Sequence, residues 1–366
     1  MARNEVKDQV RVLIVDDSMF MRRAVERMLS DSPDITVVGA AINGRDAVDL
    51  ACRLKPDVIV MDVNMPELNG LEAVEQIMTR CPAPVLMLST LTKSGAVTTI
   101  RALELGAVDF IDKTSAGGWM DIYALAAVLR DKVLAVAYAG VSAPPPAEAL
   151  RVPHETFSPP MERPISTSAG IDVIAIGAST GGPRALTEIL PHLPGDLRAG
   201  VVVAQHMPPG FISTLADRLN GRCPLEVREA RNGDPITPGT ILIAPGGEQM
   251  WVERIDNTLR VHISPNTEDL LHHPSIDMLL ESVAAVVGSR AVGVILTGMG
   301  DDGTEGLRKM RDAGARTICE SAKTAVIYGM PRAARAAAEQ ILALDEIAPA
   351  LVQLCGAVNT DPGRAS

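Results

Sequence analysis

Asp16 and Asp17 directly follow the apolar run Val12-Leu13-Ile14-Val15, and Asp62 directly follows Val58-Ile59-Val60-Met61. Ser89 closes a third run, Val85-Leu86-Met87-Leu88, and Lys113 stands just beyond a fourth, Ala107-Val108-Asp109-Phe110-Ile111. If these runs are neighbouring parallel strands, their polar ends converge on one edge of a sheet, where ligands bind. Three clustered carboxylates repel one another unless a cation lies between them. A hard ion with oxygen ligands, Mg²⁺ above all, suits them. One carboxylate is then a candidate nucleophile toward phosphorus, with the metal and Lys113 neutralising the phosphoryl oxygens.

A second set lies further along the chain. Ser179 sits in Gly177-Ala178-Ser179-Thr180-Gly181-Gly182-Pro183, His206 in Gln205-His206-Met207-Pro208-Pro209-Gly210, and Asp302 in Gly298-Met299-Gly300-Asp301-Asp302-Gly303. Each follows an apolar run. A serine hydroxyl is a poor nucleophile until an imidazole takes its proton, and that imidazole needs a carboxylate to fix its tautomer. A glycine-rich turn entering a helix also gathers backbone N–H groups around an anion or developing oxyanion.

Three uses of this turn compete. Dinucleotide binding needs an acid at the end of the next strand, but that strand ends in Gln205-His206 and Asp196 precedes it. An α/β-hydrolase elbow matches Gly-x-Ser-x-Gly literally, yet that fold places its acid before its histidine. A Ser–His–Asp hydrolase on a different α/β sheet suits all three positions. Ser179 alone reads first as a helix cap, and His206 with the Asp302 segment turns the balance. Asp301 is the nearest rival to Asp302. His272 and His273 either line a cleft or stay on the surface, and with Asp277 they lack the i, i+4 spacing of helical metal ligands.

The elements that must position these residues alternate along the chain. Strands are expected over 10–15, 35–40, 57–61, 84–89 and 107–111, with amphipathic helices between them, as in a parallel sheet covered on both faces. The alternation resumes over 171–177, 199–206, 239–245 and 291–298, interrupted by a hairpin turning near Asp256-Asn257. The fold class is α/β: a five-stranded parallel domain, then a doubly wound, mostly parallel domain with a small antiparallel hairpin. Between them, residues 139–168 hold seven of the 26 prolines, which bar regular structure and suggest a semi-extended linker.

Composition narrows the function. The 366 residues carry 34 basic and 45 acidic side chains, a net charge of −11, with no Lys/Arg stripe to suggest a nucleic-acid partner. No apolar run approaches the roughly 18 residues of a membrane span, and the start has no signal-peptide pattern. The five scattered cysteines suggest neither a disulfide framework nor a zinc site, and a cytoplasmic location is expected.

Residues 8–132 resemble a two-component response-regulator receiver domain, through the Asp16-Asp17 pair, the Asp62–Gly70 segment, Ser89-Thr90 and Lys113. That resemblance implies that Asp62 is the phosphoacceptor. It also implies that Asp17, Asp62 and the backbone carbonyl of Asn64 hold Mg²⁺, with Asp16 acting through a metal-bound water. Ser89 would bond the phosphoryl group, and Phe110 would take the aromatic switch position. Thr114 stands where that family usually has Pro.

From residue 171 to about 335, the Ser179, His206 and Asp302 segments, with Ala244–Gly247, His272–Leu279 and Tyr328–Ala334, resemble the family of chemotaxis protein-glutamate methylesterases. The resemblance implies Ser179 as nucleophile, His206 as general base, Asp302 as orienting acid, and an oxyanion hole near the N–H groups of Thr180 and Met299. It further implies a receiver over 8–132, a linker over 133–168 and a catalytic domain over 169–357 without a cofactor. The implied reactions are hydrolysis of glutamate methyl esters and deamidation of glutamines on methyl-accepting chemoreceptors, with a chemotaxis histidine kinase as phosphodonor.

Overall fold

The computed structural model describes residues 9–89, 92–113, 122–137, 170–265 and 270–356. The proline-rich segment, Thr90, Thr114 and both ends of the chain lie outside the described residues.

The first domain runs β1 (Val10–Val15), α1 (Met19–Ser30), β2 (Ile35–Ala41), α2 (Gly44–Leu54), β3 (Val58–Asp62), α3 (Gly70–Arg80), β4 (Val85–Ser89), α4 (Lys93–Glu104), β5 (Asp109–Asp112) and α5 (Ile122–Ala137). Its five strands form one parallel sheet in the order β2-β1-β3-β4-β5. Successive strand residues feed opposite faces. Leu13, Val15, Ile59 and Met61 pack with Ile77 and Ile100 of α3 and α4, while Val12, Ile14, Val58 and Val60 pack with Leu29 and Leu129 of α1 and α5. This two-sided burial explains why the central strands read as unbroken apolar runs. Side chains fix the helix starts: Ser18, Asn43 and Thr92 cap α1, α2 and α4, and Asn69 with Glu72 forms a capping box on α3. Helix α5 continues to Ala137, beyond the Lys132 boundary expected from sequence.

The cysteine reading needs correction. Cys52 on α2 and Cys81 at the end of α3 form a disulfide across 29 residues of sequence, while Cys223, Cys319 and Cys355 are free. Packing of adjacent helices brings the pair together, and no short-range spacing could announce it.

The second domain runs β6 (Val173–Ala178), α6 (Gly182–Ile189), β7 (Gly200–Gln205), α7 (Ile212–Asn220), β8 (Glu226–Glu229), β9 (Thr240–Ile243), β10 (Glu248–Ile255), β11 (Thr258–Pro265), α8 (Ile276–Val286), β12 (Ala291–Ile295), α9 (Thr304–Asp312), β13 (Arg316–Glu320), α10 (Met330–Ala334), β14 (Gln340–Leu342) and α11 (Leu344–Cys355). Seven strands form a parallel sheet in the order β14-β13-β12-β6-β7-β9-β8. The antiparallel pair β10–β11 turns at Asp256 and Asn257, both at positive φ, as a tight hairpin requires. The chain builds outward from β6 through β7, then returns to place β12 on the other side of β6. The carboxyl end of β6 is therefore a topological switch point, where a crevice opens for ligands.

Candidate active site

Strand β6 ends at Ala178, and Ser179 begins a tight turn into α6. The Ser179 N–H donates to the Thr297 carbonyl at 3.0 Å, and the Gly182 N–H returns to the Ser179 carbonyl at 2.8 Å. Gly181 adopts φ +80°, a conformation glycine tolerates without a Cβ penalty, and Pro183 occupies the first turn of α6. The α6 N-cap is Gly181 rather than Ser179, so the Ser179 side chain is not spent on capping.

His206 follows the last residue of β7, and its N–H donates to the Ala178 carbonyl at 2.9 Å. Its ring lies between the other two candidates: Nδ1 is 3.2 Å from Ser179 Oγ, and Nε2 is 2.8 Å from Asp302 Oδ2. Asp302 is buried at the N-terminus of α8. Its two oxygens also accept the N–H groups of Ile276 at 2.8 Å and Asp277 at 2.9 Å, and the Ser275 hydroxyl at 3.3 Å. Burial opposes its charge, but the His206 and backbone donors outweigh that, holding its pKa down at about 2. An ionised carboxylate on Nε2 keeps the proton there, so the Nδ1 lone pair faces the serine hydroxyl. Such an array can deprotonate Ser179 for attack on an acyl carbon. Asp301, the rival acid, is exposed.

The structure also decides between the two readings of His272. His272 stacks on His206 with ring centroids 4.2 Å apart, so it lines the cleft. Burial, then the nearby His206, pushes its pKa down. Asp277 accepts the Gly306 N–H at 2.7 Å at the start of α9, and burial raises its pKa to about 6. Its role in the fold is that of a helix cap.

Thr297 holds the Ser179 turn from behind, and sequence reasoning missed it. Its hydroxyl donates to the Thr180 carbonyl at 2.9 Å and accepts the Ile327 N–H at 2.9 Å, while its own N–H donates to Glu320 Oε2 at 2.8 Å. Glu320 is fully buried, which lifts its pKa to about 7. Of the two oxyanion candidates, Thr180 is buried and Met299 is exposed.

In the first domain the expected pocket assembles at the ends of β1, β3 and β5. Oxygens of Asp16, Asp17 and Asp62 lie within 4.8 Å of one another. This all-carboxylate donor set, two buried residues and one exposed, fits a hard divalent ion with room for water ligands. Lys113 Nζ is 2.9 Å from both Asp16 Oδ2 and Asp62 Oδ1. Burial raises the Asp62 pKa despite Lys113, and the two carboxylates outweigh burial to raise that of Lys113. Ser89 ends β4 fully buried and accepts the Thr99 hydroxyl at 2.8 Å, while Asn64 is exposed just past β3.

The two sites are linked through the domain contact. The Thr180 hydroxyl donates to Asp109 Oδ2 of β5 at 2.7 Å, and Lys132 of α5 pairs with the same oxygen at 2.5 Å. Phe110 is buried against Phe211, with centroids 4.4 Å apart. Glu104 of α4 pairs with Arg218 at 2.5 Å and Arg222 at 3.1 Å.

Comparison with known proteins agrees with both halves. Residues 174–351 match the CheB methylesterase family, and residues 12–119 match the response regulator receiver domain. A protein-glutamate methylesterase/protein-glutamine glutaminase of Geobacillus kaustophilus is 43% identical, covering 95% of this chain and 99% of its own. Its namesake from Symbiobacterium thermophilum is 42% identical, covering 96% of this chain and 99% of its own. The crystal structure of the Thermotoga maritima CheB methylesterase catalytic domain is 36% identical, with a TM-score of 0.49, over 51% of this chain and all (100%) of that one.

Proposed function

The chain belongs to the protein-glutamate methylesterase/protein-glutamine glutaminase family, and from that premise we propose that it removes methyl groups from glutamate side chains of chemoreceptors, with Ser179, His206 and Asp302 as its catalytic array. The observation that carries this reading is His206, which touches Ser179 Oγ through one ring nitrogen and Asp302 through the other.

Ser179 Oγ attacks the ester carbonyl while His206 Nδ1 takes its proton. Negative charge then gathers on the former carbonyl oxygen, where the N–H groups of Thr180 and Met299 are the candidate donors. Collapse breaks the bond to the methoxy group, and His206 returns the proton so that methanol leaves. Water, deprotonated by His206, attacks the acyl-serine, and a glutamate carboxylate departs as Ser179 regains its proton. A glutamine side chain enters the same sequence and releases ammonia, because both reactions share one tetrahedral oxyanion. The catalytic domain needs no cofactor in this scheme.

Residues 8–132, with the last turn of α5 to Ala137, act as the receiver, the segment from there to residue 168 as the linker, and residues 169–357 as the hydrolase. Asp62 accepts a phosphoryl group from a chemotaxis histidine kinase. Asp17, Asp62 and the Asn64 carbonyl would hold Mg²⁺, with Asp16 acting through a water; the ion supplies positive charge against the phosphoryl oxygens. Lys113 and Ser89 contact those same oxygens. Phosphorylation breaks the Lys113–Asp62 pair and shifts the population toward an undocked receiver, with Phe110 leaving Phe211. The docked interface supports this, since Asp109 occupies the hydroxyl of the residue next to Ser179. The location proposed is the cytoplasm; among the described residues, no helix is long and apolar enough to cross a membrane.

Labelling with a fluorophosphonate, which modifies activated serines, tests the array. The adduct should map to Ser179 and form at least 100-fold more slowly in His206→Gln. An adduct on another residue, or an unchanged rate in that variant, would refute it.

A further inference from the structure

We propose that Gln205 is a positioning residue whose single amide nitrogen clamps the proposed nucleophile and the proposed base into register. The inference rests on the roles proposed above for Ser179 and His206. The parallel ladder between β6 and β7 has Ala178 and Gln205 as its last pair, and it closes with the His206 N–H on the Ala178 carbonyl at 2.9 Å. Beyond that point the backbones separate. One enters the turn into α6, and the other enters Met207-Pro208-Pro209, where the prolines have no N–H to offer.

The Gln205 side chain continues the ladder where the backbone cannot. It is 1% exposed, and Nε2 donates to the Ser179 carbonyl at 2.9 Å and the His206 carbonyl at 3.0 Å. Both hydrogens of one planar amide are thus used, one on each residue. No other side chain of this size offers two donors on one uncharged, planar nitrogen. Slippage between the ends of β6 and β7 would directly change the 3.2 Å separation of Ser179 Oγ from His206 Nδ1. A proton transfer is sensitive to that separation.

Two further observations separate a positioning role from simple filling of space. The Gln205 Oε1 atom is buried with no hydrogen-bond partner, a cost that an apolar side chain in the same volume would avoid. The turn is also shaped around the amide. A Cβ on Gly182 would lie 2.1 Å from Gln205 Oε1, so glycine there leaves room for it.

The test uses the full chain with a small-molecule phosphodonor, and compares wild type with Gln205→Met and Gln205→Glu. Fluorophosphonate labelling gives two readouts: the final stoichiometry counts competent sites, and the rate reports activation of Ser179. The proposal predicts that Gln205→Met labels fully but about 10- to 100-fold more slowly, with kcat per labelled site for methanol release from methylated receptor membranes falling in parallel and KM within twofold. Gln205→Glu, which turns an oxygen toward both carbonyls, should be slower still. Wild-type labelling rates in both variants, or a loss confined to the number of sites labelled, overturns the proposal. Failure of wild type itself to label would instead overturn the assignment of Ser179.

Discussion

Thr180, which follows the proposed nucleophile, donates a hydrogen bond of 2.7 Å to Asp109, which precedes the buried Phe110 of the first domain. One contact thus joins the turn that carries Ser179 to the strand that ends beside Lys113. The docked receiver is therefore held at the site it is proposed to control, and the ion pairs of Glu104 lie at another part of the same interface.

Weakening the interface away from both sites should activate the enzyme. Glu104→Ala removes the partner of Arg218 and Arg222 in a half-buried setting, which should cost docking about 1 kcal/mol. Methanol release without phosphodonor should rise about fivefold, and the rate at saturating phosphodonor should stay within twofold. An unchanged unstimulated rate would contradict the docking account.

Asp62→Asn removes the proposed phosphoacceptor while leaving an oxygen near Lys113. Unstimulated release should remain within about twofold of wild type, and stimulation by phosphodonor should disappear. A variant that still responded would place the phosphoryl group elsewhere.

Asp302→Asn should lower kcat about 10³- to 10⁴-fold, because a neutral amide no longer fixes the His206 tautomer or stabilises its cation. Its effect on stability depends on pH. The folded pKa of about 2 lies below the ordinary 3.8, so ionised Asp302 contributes stability above pH 3.8 that is lost as pH falls through about 2. That contribution is roughly 2 kcal/mol. Acid denaturation curves should show a shallower fall over this window in the variant; parallel curves would count against the buried, His206-paired carboxylate.

Glu320 carries the opposite sign. Burial lifts its folded pKa from 4.5 to about 7, so stability is fully present below pH 4.5 and declines as pH rises through about 7. The decline amounts to roughly 3 kcal/mol. Glu320→Gln keeps an oxygen for the Thr297 N–H and removes the charge, so its melting temperature should gain on wild type as pH rises from 5 to 8. A constant difference between the two would show that Glu320 does not titrate in this range.

Much of this was legible in the sequence because the relevant signals are local. Each of Asp16, Asp62, Ser179 and His206 stands at or just beyond the end of an apolar run, and a parallel sheet must bring such ends to one edge. Asp302 was harder, since it lies beyond β12 past Gly298-Met299-Gly300, yet its glycine-rich segment marked a loop. What sequence could not supply was partnership across elements. Glu320 looks like an ordinary charged end of β13, and only the folded chain shows it buried behind Thr297. The Cys52–Cys81 pair depends on how α2 meets α3. The short strands β8, β13 and β14 escaped notice because runs of three to five residues broken by charged or polar positions have no lasting periodicity.

The most direct measurement incubates the full chain with membranes bearing receptors labelled at their methyl esters, and counts methanol released with and without a small-molecule phosphodonor. Wild type should release methanol and accelerate when the phosphodonor is added, and Ser179→Ala should release none above background in either condition. Equal release from wild type and Ser179→Ala, or none from wild type, would contradict the central claim that Ser179 performs a hydrolysis governed by Asp62.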